Sequence, residues 1–295
     1  METLEVIFDR VIPVVLFILM LGMGLTLRIE DFKRLFLQPK PVLIGLAGQL
    51  VLLPVVAFVL VHLLGAPPDL AVGAMLLAAC PGGVTSNGYV FVSRGDVGLS
   101  VTLTAITSIV TIVTIPLITV FSMDYFYASD AEVTGLPVMG IMQRLVTVTA
   151  LPIGIGMALM YRWPQYRGRA AEIARKVSLF FLILIIVGIT LSTLETLKEH
   201  LLSTAVLAIS LNVIGLAAGY WVSKLAKLTV LQTRTVTFEV GVQNLSLAVL
   251  VAFSILKRPE LAVFCFVYAL FMKITALALV YRWRDSNQLL TNPSA

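Results

Sequence analysis

Cys80-Pro81-Gly82-Gly83-Val84-Thr85-Ser86-Asn87 and Glu239-Val240-Gly241-Val242-Gln243-Asn244 are the two stretches that decide how this chain folds. Each lies inside a long apolar segment and places glycine and polar side chains, in the first case also proline, where an unbroken membrane helix prefers none of them. Both read as discontinuous helices. Backbone groups freed at bilayer depth are tolerated only where protein or a water-filled cavity satisfies them, so each break predicts an internal site.

The surrounding composition names the solvent. Of 295 residues, 59% are hydrophobic and 13% charged, roughly half the ~25% charge of a soluble domain. The apolar residues form runs such as 41–64, 97–121 and 201–222, each near the ~20 residues that cross a ~30 Å hydrocarbon core. Proline, glycine and charge clusters punctuate the chain into nine expected spans, 6–27, 40–64, 69–93, 97–122, 137–161, 173–195, 201–224, 230–256 and 259–283. The fold expected is an all-α polytopic membrane protein. Glu2, Glu5 and Asp9 precede the first run where a secretion signal wants Lys or Arg, so that run is read as a permanent span. The net charge of +5 is spread thinly over loops, which argues for topology and against nucleic acid. Cys80 and Cys265 sit in apolar segments as small hydrophobes.

Placing the N-terminus outside and the C-terminus in the cytoplasm puts fifteen Lys and Arg on the cytoplasmic side and four, Arg10, Lys198, Lys257 and Arg258, outside. That asymmetry follows the positive-inside rule of a cell-membrane protein. In this arrangement the two broken helices are antiparallel and five spans apart, the mark of an inverted repeat whose interrupted helices meet near the midplane around substrate and coupling ions. The first repeat, 1–122, then has four helices and the second, 137–284, has five.

Glu239 is the most informative position. It lies about nine residues into its span, or ~14 Å along the axis, with no base nearby in sequence. A protonated carboxyl, a lysine pair and a cation ligand are the three readings. Gln243 follows one turn on, and Asn244 lies beside it at the break. The first break supplies Thr85, Ser86 and Asn87, and the fourth span supplies Ser100 and Thr104 on one helix face. One carboxylate among hydroxyls and amides suits sodium better than Zn²⁺, which wants His or Cys, or Ca²⁺, which collects more carboxylates.

With Gly22-Met23-Gly24-Leu25-Thr26-Leu27 and the Gly95-Asp96, Leu99-Ser100 pairs added, the motifs resemble the bile acid:sodium symporter family over nearly the whole chain. The resemblance implies two crossing broken helices in a core domain, a panel domain beside it, and two sodium sites, in a form lacking the first helix of the ten-helix members. It assigns one sodium to Ser86, Asn87, Ser100, Thr104 and Glu239. The other falls to Gln49, Glu239 and oxygens at Val240, Val242 and Gln243. Lys273 departs from the family, which more usually has a neutral polar residue there.

Lys273 is nine residues from Arg282, roughly 13 Å along the helix and too far to snorkel easily, so it is expected to face the interior. It meets a substrate carboxylate, pairs with Glu239 in place of a sodium, or is merely structural. Thr85, Asn87 and Asn244 complete the expected substrate contacts. No HExxH, no GxSxG and no aspartate-rich pair points to an enzyme. The function expected is sodium-coupled import of a small organic anion by alternating access, with the bilayer as surroundings and no protein partner implied. The runner-up is a proton-coupled or sodium-independent transporter or exporter of the same fold.

Overall fold

The computed structural model describes residues 12–127, 138–166 and 194–291, with scattered positions between 168 and 180. Among them the chain is helical throughout: α1 (Ile12–Thr26), α2 (Ile29–Leu37), α3 (Pro39–Leu63), α4 (Pro68–Ala79), α5 (Val84–Val92), α6 (Val97–Phe126), α7 (Val138–Arg162), α8 (Leu194–Leu225), α9 (Val230–Gly241), α10 (Leu245–Leu250) and α11 (Leu261–Thr291). Five stretches, in α3, α6, α7, α8 and α11, are long and apolar enough to cross a membrane. The sixth expected span, 173–195, lies largely outside the described residues. Each other expected span coincides with a helix or a broken helix.

The sequence reading needs correcting in two places. Residues 28–38, read as a connecting loop, form the amphipathic helix α2, which exposes Ile29, Phe36 and Leu37. Its Arg34 donates to Asp96 at 2.7 Å, the residue whose side chain also caps the start of α6 through Leu99 N–H. α8 begins at Leu194, seven residues before the expected start at 201, because the polar 194–200 segment continues the helix without a breaker.

α3 and α7 each contain a π turn, Gly48–Leu52 and Val146–Ala150, two residues before a proline, Pro54 and Pro152. A proline cannot donate to the carbonyl four residues back and its ring crowds that carbonyl. The wider turn absorbs both problems. α1 and α7 touch at backbone distance: a Cβ on Gly24 would lie 2.2 Å from the Ile153 carbonyl oxygen, and one on Gly156 2.5 Å from that of Leu21. Gly215 and Gly219 of α8 face the Leu53 side chain and the Val236 backbone, so this GxxxG serves packing within the chain. Cys80 and Cys265 are buried free thiols.

Candidate functional site

The α4–α5 break and the α9–α10 break meet. Cys80 and Gly83 are extended on one side and Val242 on the other. Gly83 N–H donates to Val242 O at 3.1 Å, and Asn244 N–H to Pro81 O at 2.9 Å, closing a short antiparallel bridge between Gly82 and Gln243. Each break satisfies part of the other's freed backbone. Contact this close requires glycine: a Cβ on Gly83 would sit 2.9 Å from the Gln243 carbonyl oxygen.

Glu239 projects from the last turn of α9 into this junction and is 2% exposed. Its Oε1 accepts from Ser86 Oγ and Ser100 Oγ, both at 2.5 Å, and its Oε2 from Thr104 Oγ1 at 3.0 Å. Ser86 Oγ also lies 2.6 Å from Gly83 O, and Ser100 Oγ 2.6 Å from Asn87 Oδ1. Three hydroxyl protons therefore serve two carboxylate oxygens, a carbonyl and an amide oxygen. Acceptors outnumber donors. Among the described residues no Lys, Arg or His forms an ion pair with this carboxylate. A buried carboxylate without a counter-charge is costly, and an oxygen-only donor set suits a hard monovalent cation.

The residues expected around a second cation also gather here. Gln49, within the π turn of α3, donates through Nε2 to Cys80 O at 2.8 Å and to Gln243 Oε1 at 2.7 Å. Gln243 Nε2 donates to Val240 O at 2.7 Å and to Gln49 Oε1 at 3.3 Å. Two amide NH₂ groups thus occupy the carbonyls of Cys80 and Val240, while Val242 O is taken by Gly83 N–H. Presenting amide oxygens to a shared cation requires both amides to turn.

The residues expected to meet substrate divide. Asn87 is half-buried with its oxygen on Ser100, and Thr85 is exposed on the open side of α5. Asn244 is buried, and its Oδ1 caps α10 through Leu247 N–H at 3.1 Å. Lys273 corrects two expectations, because it does not point into the bundle and makes no ion pair with Glu239. The buried stripe of α11 runs through Cys265, Tyr268, Met272 and Ala276, and Lys273 falls one residue, or 100°, off it. It is exposed beside Leu270, Ile274 and Leu277. Its depth is still that of the junction, since Gln243 N–H meets the sulfur of neighbouring Met272 at 3.3 Å.

Sequence reasoning missed one cluster. Asn212 of α8 donates to Gly241 O at 2.9 Å and to the Tyr268 hydroxyl at 3.1 Å, Tyr268 donates to the same carbonyl at 2.9 Å, and Thr275 donates to Asn212 Oδ1 at 2.5 Å. Asn212 and Tyr268, each lone in an apolar run, are the signals the sequence offers.

The sequence profile of the Sodium Bile acid symporter family matches residues 13–200, more than half of the chain. The chain belongs to that family. The symporter-family chain is similar to an uncharacterized sodium-dependent transporter, YocS, of Bacillus subtilis, at 32% identity over 86% of this chain and 78% of the relative. It is similar to a probable chloroplastic sodium/metabolite cotransporter, BASS2, of Oryza sativa, at 30% over 90% of this chain and 62% of the relative. Human sodium/bile acid cotransporter 4 is 29% identical over 92% of this chain and 63% of its own length. The family member described here thus spans a little under two thirds of the plant and human relatives.

Proposed function

We propose that this protein is a sodium-coupled symporter that imports a small organic anion of the carboxylate type by alternating access. The carrying observation is Glu239, a carboxylate buried where two helix breaks meet, with hydroxyl donors around it and, among the described residues, no positive side chain paired with it. The names of the relatives, sodium-dependent transporter and sodium/metabolite cotransporter, support the same reading.

One sodium binds among Ser86, Asn87, Ser100, Thr104 and Glu239 and supplies the charge the carboxylate lacks. Hydroxyl hydrogens then rotate off the carboxylate, and the oxygens of Ser86 and Ser100 turn to the ion. A second sodium draws on Glu239, the Val240 and Val242 oxygens, and the amides of Gln49 and Gln243 once these have turned. Glu239 is common to both sites, and the ions lock the two breaks into one geometry. That geometry shapes the anion site beside it, where Lys273, exposed at junction depth, meets the carboxylate, and Thr85, Asn87 and Asn244 supply polar contacts. Asn87 belongs to both ion shell and anion site, so each ligand raises the other's affinity by the same factor.

In this reading residues 1–122 and 137–284 are inverted repeats, the core around the breaks moves against a panel containing α1 and α7, and the protein sits in the cell membrane with its N-terminus outside. Uptake into proteoliposomes, with sodium replaced by choline at fixed pH, tests the proposal. Uptake should vanish in choline. Uptake that persists in choline and follows a proton gradient instead would make Glu239 a titrating group and refute sodium coupling.

A further inference from the structure

We infer that Asn212, Tyr268 and Thr275 are positioning residues for the cation site: anchored on α8 and α11, they hold the freed Gly241 carbonyl on their own side and thereby turn the next one, that of Val242, across the junction. The inference rests on the sodium reading above and deepens it.

Gly241 closes α9, and its carbonyl would normally accept from Leu245 N–H. That N–H instead bonds Gln243 O at 3.0 Å, so the break frees the Gly241 carbonyl. Asn212 and Tyr268 take both its lone pairs, at 2.9 Å each, from two different helices. Thr275 fixes which way the Asn212 amide points, because its hydroxyl donates to Oδ1 and leaves Nδ2 for the carbonyl. Asn212 and Tyr268 are 0% and 1% exposed. Polar groups buried that deeply are costly unless paired, and here the pairing converges on one backbone atom.

Where backbone becomes extended, successive carbonyls point to opposite sides. Val242 is extended, at φ −112 and ψ 100. Fixing the Gly241 carbonyl on the α8–α11 side therefore sends that of Val242 to the other side, toward Gly83, while Val240, still helical, keeps its carbonyl along α9 and meets the Gln243 amide. The donors differ in kind. The partner of Val240 O is a side-chain amide that can swing away when a cation arrives, whereas Gly241 O is held by two groups locked in the packing of other helices. The cluster thus keeps one freed carbonyl out of competition for the ion and gives the next one a fixed direction.

The test uses the full chain in detergent and reads its melting temperature against sodium chloride balanced with choline chloride. The wild type should show a saturable rise with a defined sodium midpoint. Tyr268→Phe keeps the ring and its packing but loses the hydroxyl, and its midpoint should rise about tenfold, the equivalent of one lost buried hydrogen bond. Asn212→Leu should do at least as much, Thr275→Val should follow in the same direction, and Thr275→Ser, which keeps the hydroxyl, should stay within about twofold of wild type. Midpoints unchanged in Tyr268→Phe and Thr275→Val, whether or not the melting temperature in choline falls, would make the cluster a packing feature and overturn the inference. A wild type without any sodium-dependent rise would instead remove the sodium reading itself, and this inference with it.

Discussion

Gly82→Ala tests the site at its tightest point without touching a ligand. A Cβ on Gly82 would lie 2.5 Å from Glu239 Oε2, where ordinary contact begins at 3.4 Å, so the two atoms must separate by 0.9 Å. The backbone cannot easily yield, because residues on either side are tied across the junction by Asn244 N–H to Pro81 O and Gly83 N–H to Val242 O. The carboxylate therefore moves. A 0.9 Å retreat of Oε2 displaces the carboxylate from the geometry set by its 3.0 Å contact with Thr104 and the two 2.5 Å contacts of Oε1. A sodium ion whose carboxylate is held 0.9 Å out of place loses about the worth of one charged contact, about 1.5–3 kcal/mol, which is roughly 10- to 100-fold in an equilibrium constant. The sodium midpoint, read by melting temperature with choline as the balancing cation, should rise by that factor, and sodium-driven uptake at fixed sodium should fall with it. Gly154→Ala is the control: the same methyl in a membrane helix, with nothing within 4 Å to meet it. Its midpoint should equal that of wild type. If Gly82→Ala also binds sodium as the wild type does, the carboxylate is not where the ion binds and the argument fails.

Glu239→Gln keeps the shape and removes the charge; it should melt in choline at or above the wild-type temperature, since no uncompensated carboxylate is buried, and show no sodium-dependent rise. A retained rise would locate the cation elsewhere. Lys273→Met should raise the half-saturating concentration of a carboxylate substrate while leaving the sodium midpoint in place; a midpoint that moves instead would mean that the ammonium competes with the ion. Asp96 both caps α6 and pairs with Arg34, and the two roles separate by substitution. Asp96→Asn keeps a capping oxygen and should lower stability only slightly, the pair being partly exposed, whereas Asp96→Ala should lose about 1 kcal/mol more with the cap. Equal melting temperatures for the two variants would assign the effect to the ion pair alone.

The breaks were legible because Pro-Gly-Gly and a lone glutamate contradict the sequence around them, and a contradiction inside an apolar span has few physical explanations. Helix faces were not legible. In water, an amphipathic helix shows its buried face as the apolar one; in a bilayer, both the packed face and the lipid face of a helix are apolar, and the periodic signal is lost. Depth alone places Lys273 inside, and only the stripe through Cys265, Tyr268, Met272 and Ala276 shows which face of α11 is packed. α2 is the converse case, a short helix whose amphipathic face falls between the expected spans. Gln49 left a faint trace, since it lies five residues before Pro54, where a π turn widens α3 and carries the amide to the junction. The Asn212 cluster left less. Its purpose depends on a carbonyl freed 29 residues later in the chain, and an amide in an apolar run does not say which backbone atom it will meet. The break creates the need for that donor, so an isolated polar residue on a helix packed against a break is better read as a partner for freed backbone than as general helix packing. On α8 and α11 the isolated polar residues of that kind are Asn212 in 211–216 and Tyr268 in 264–269.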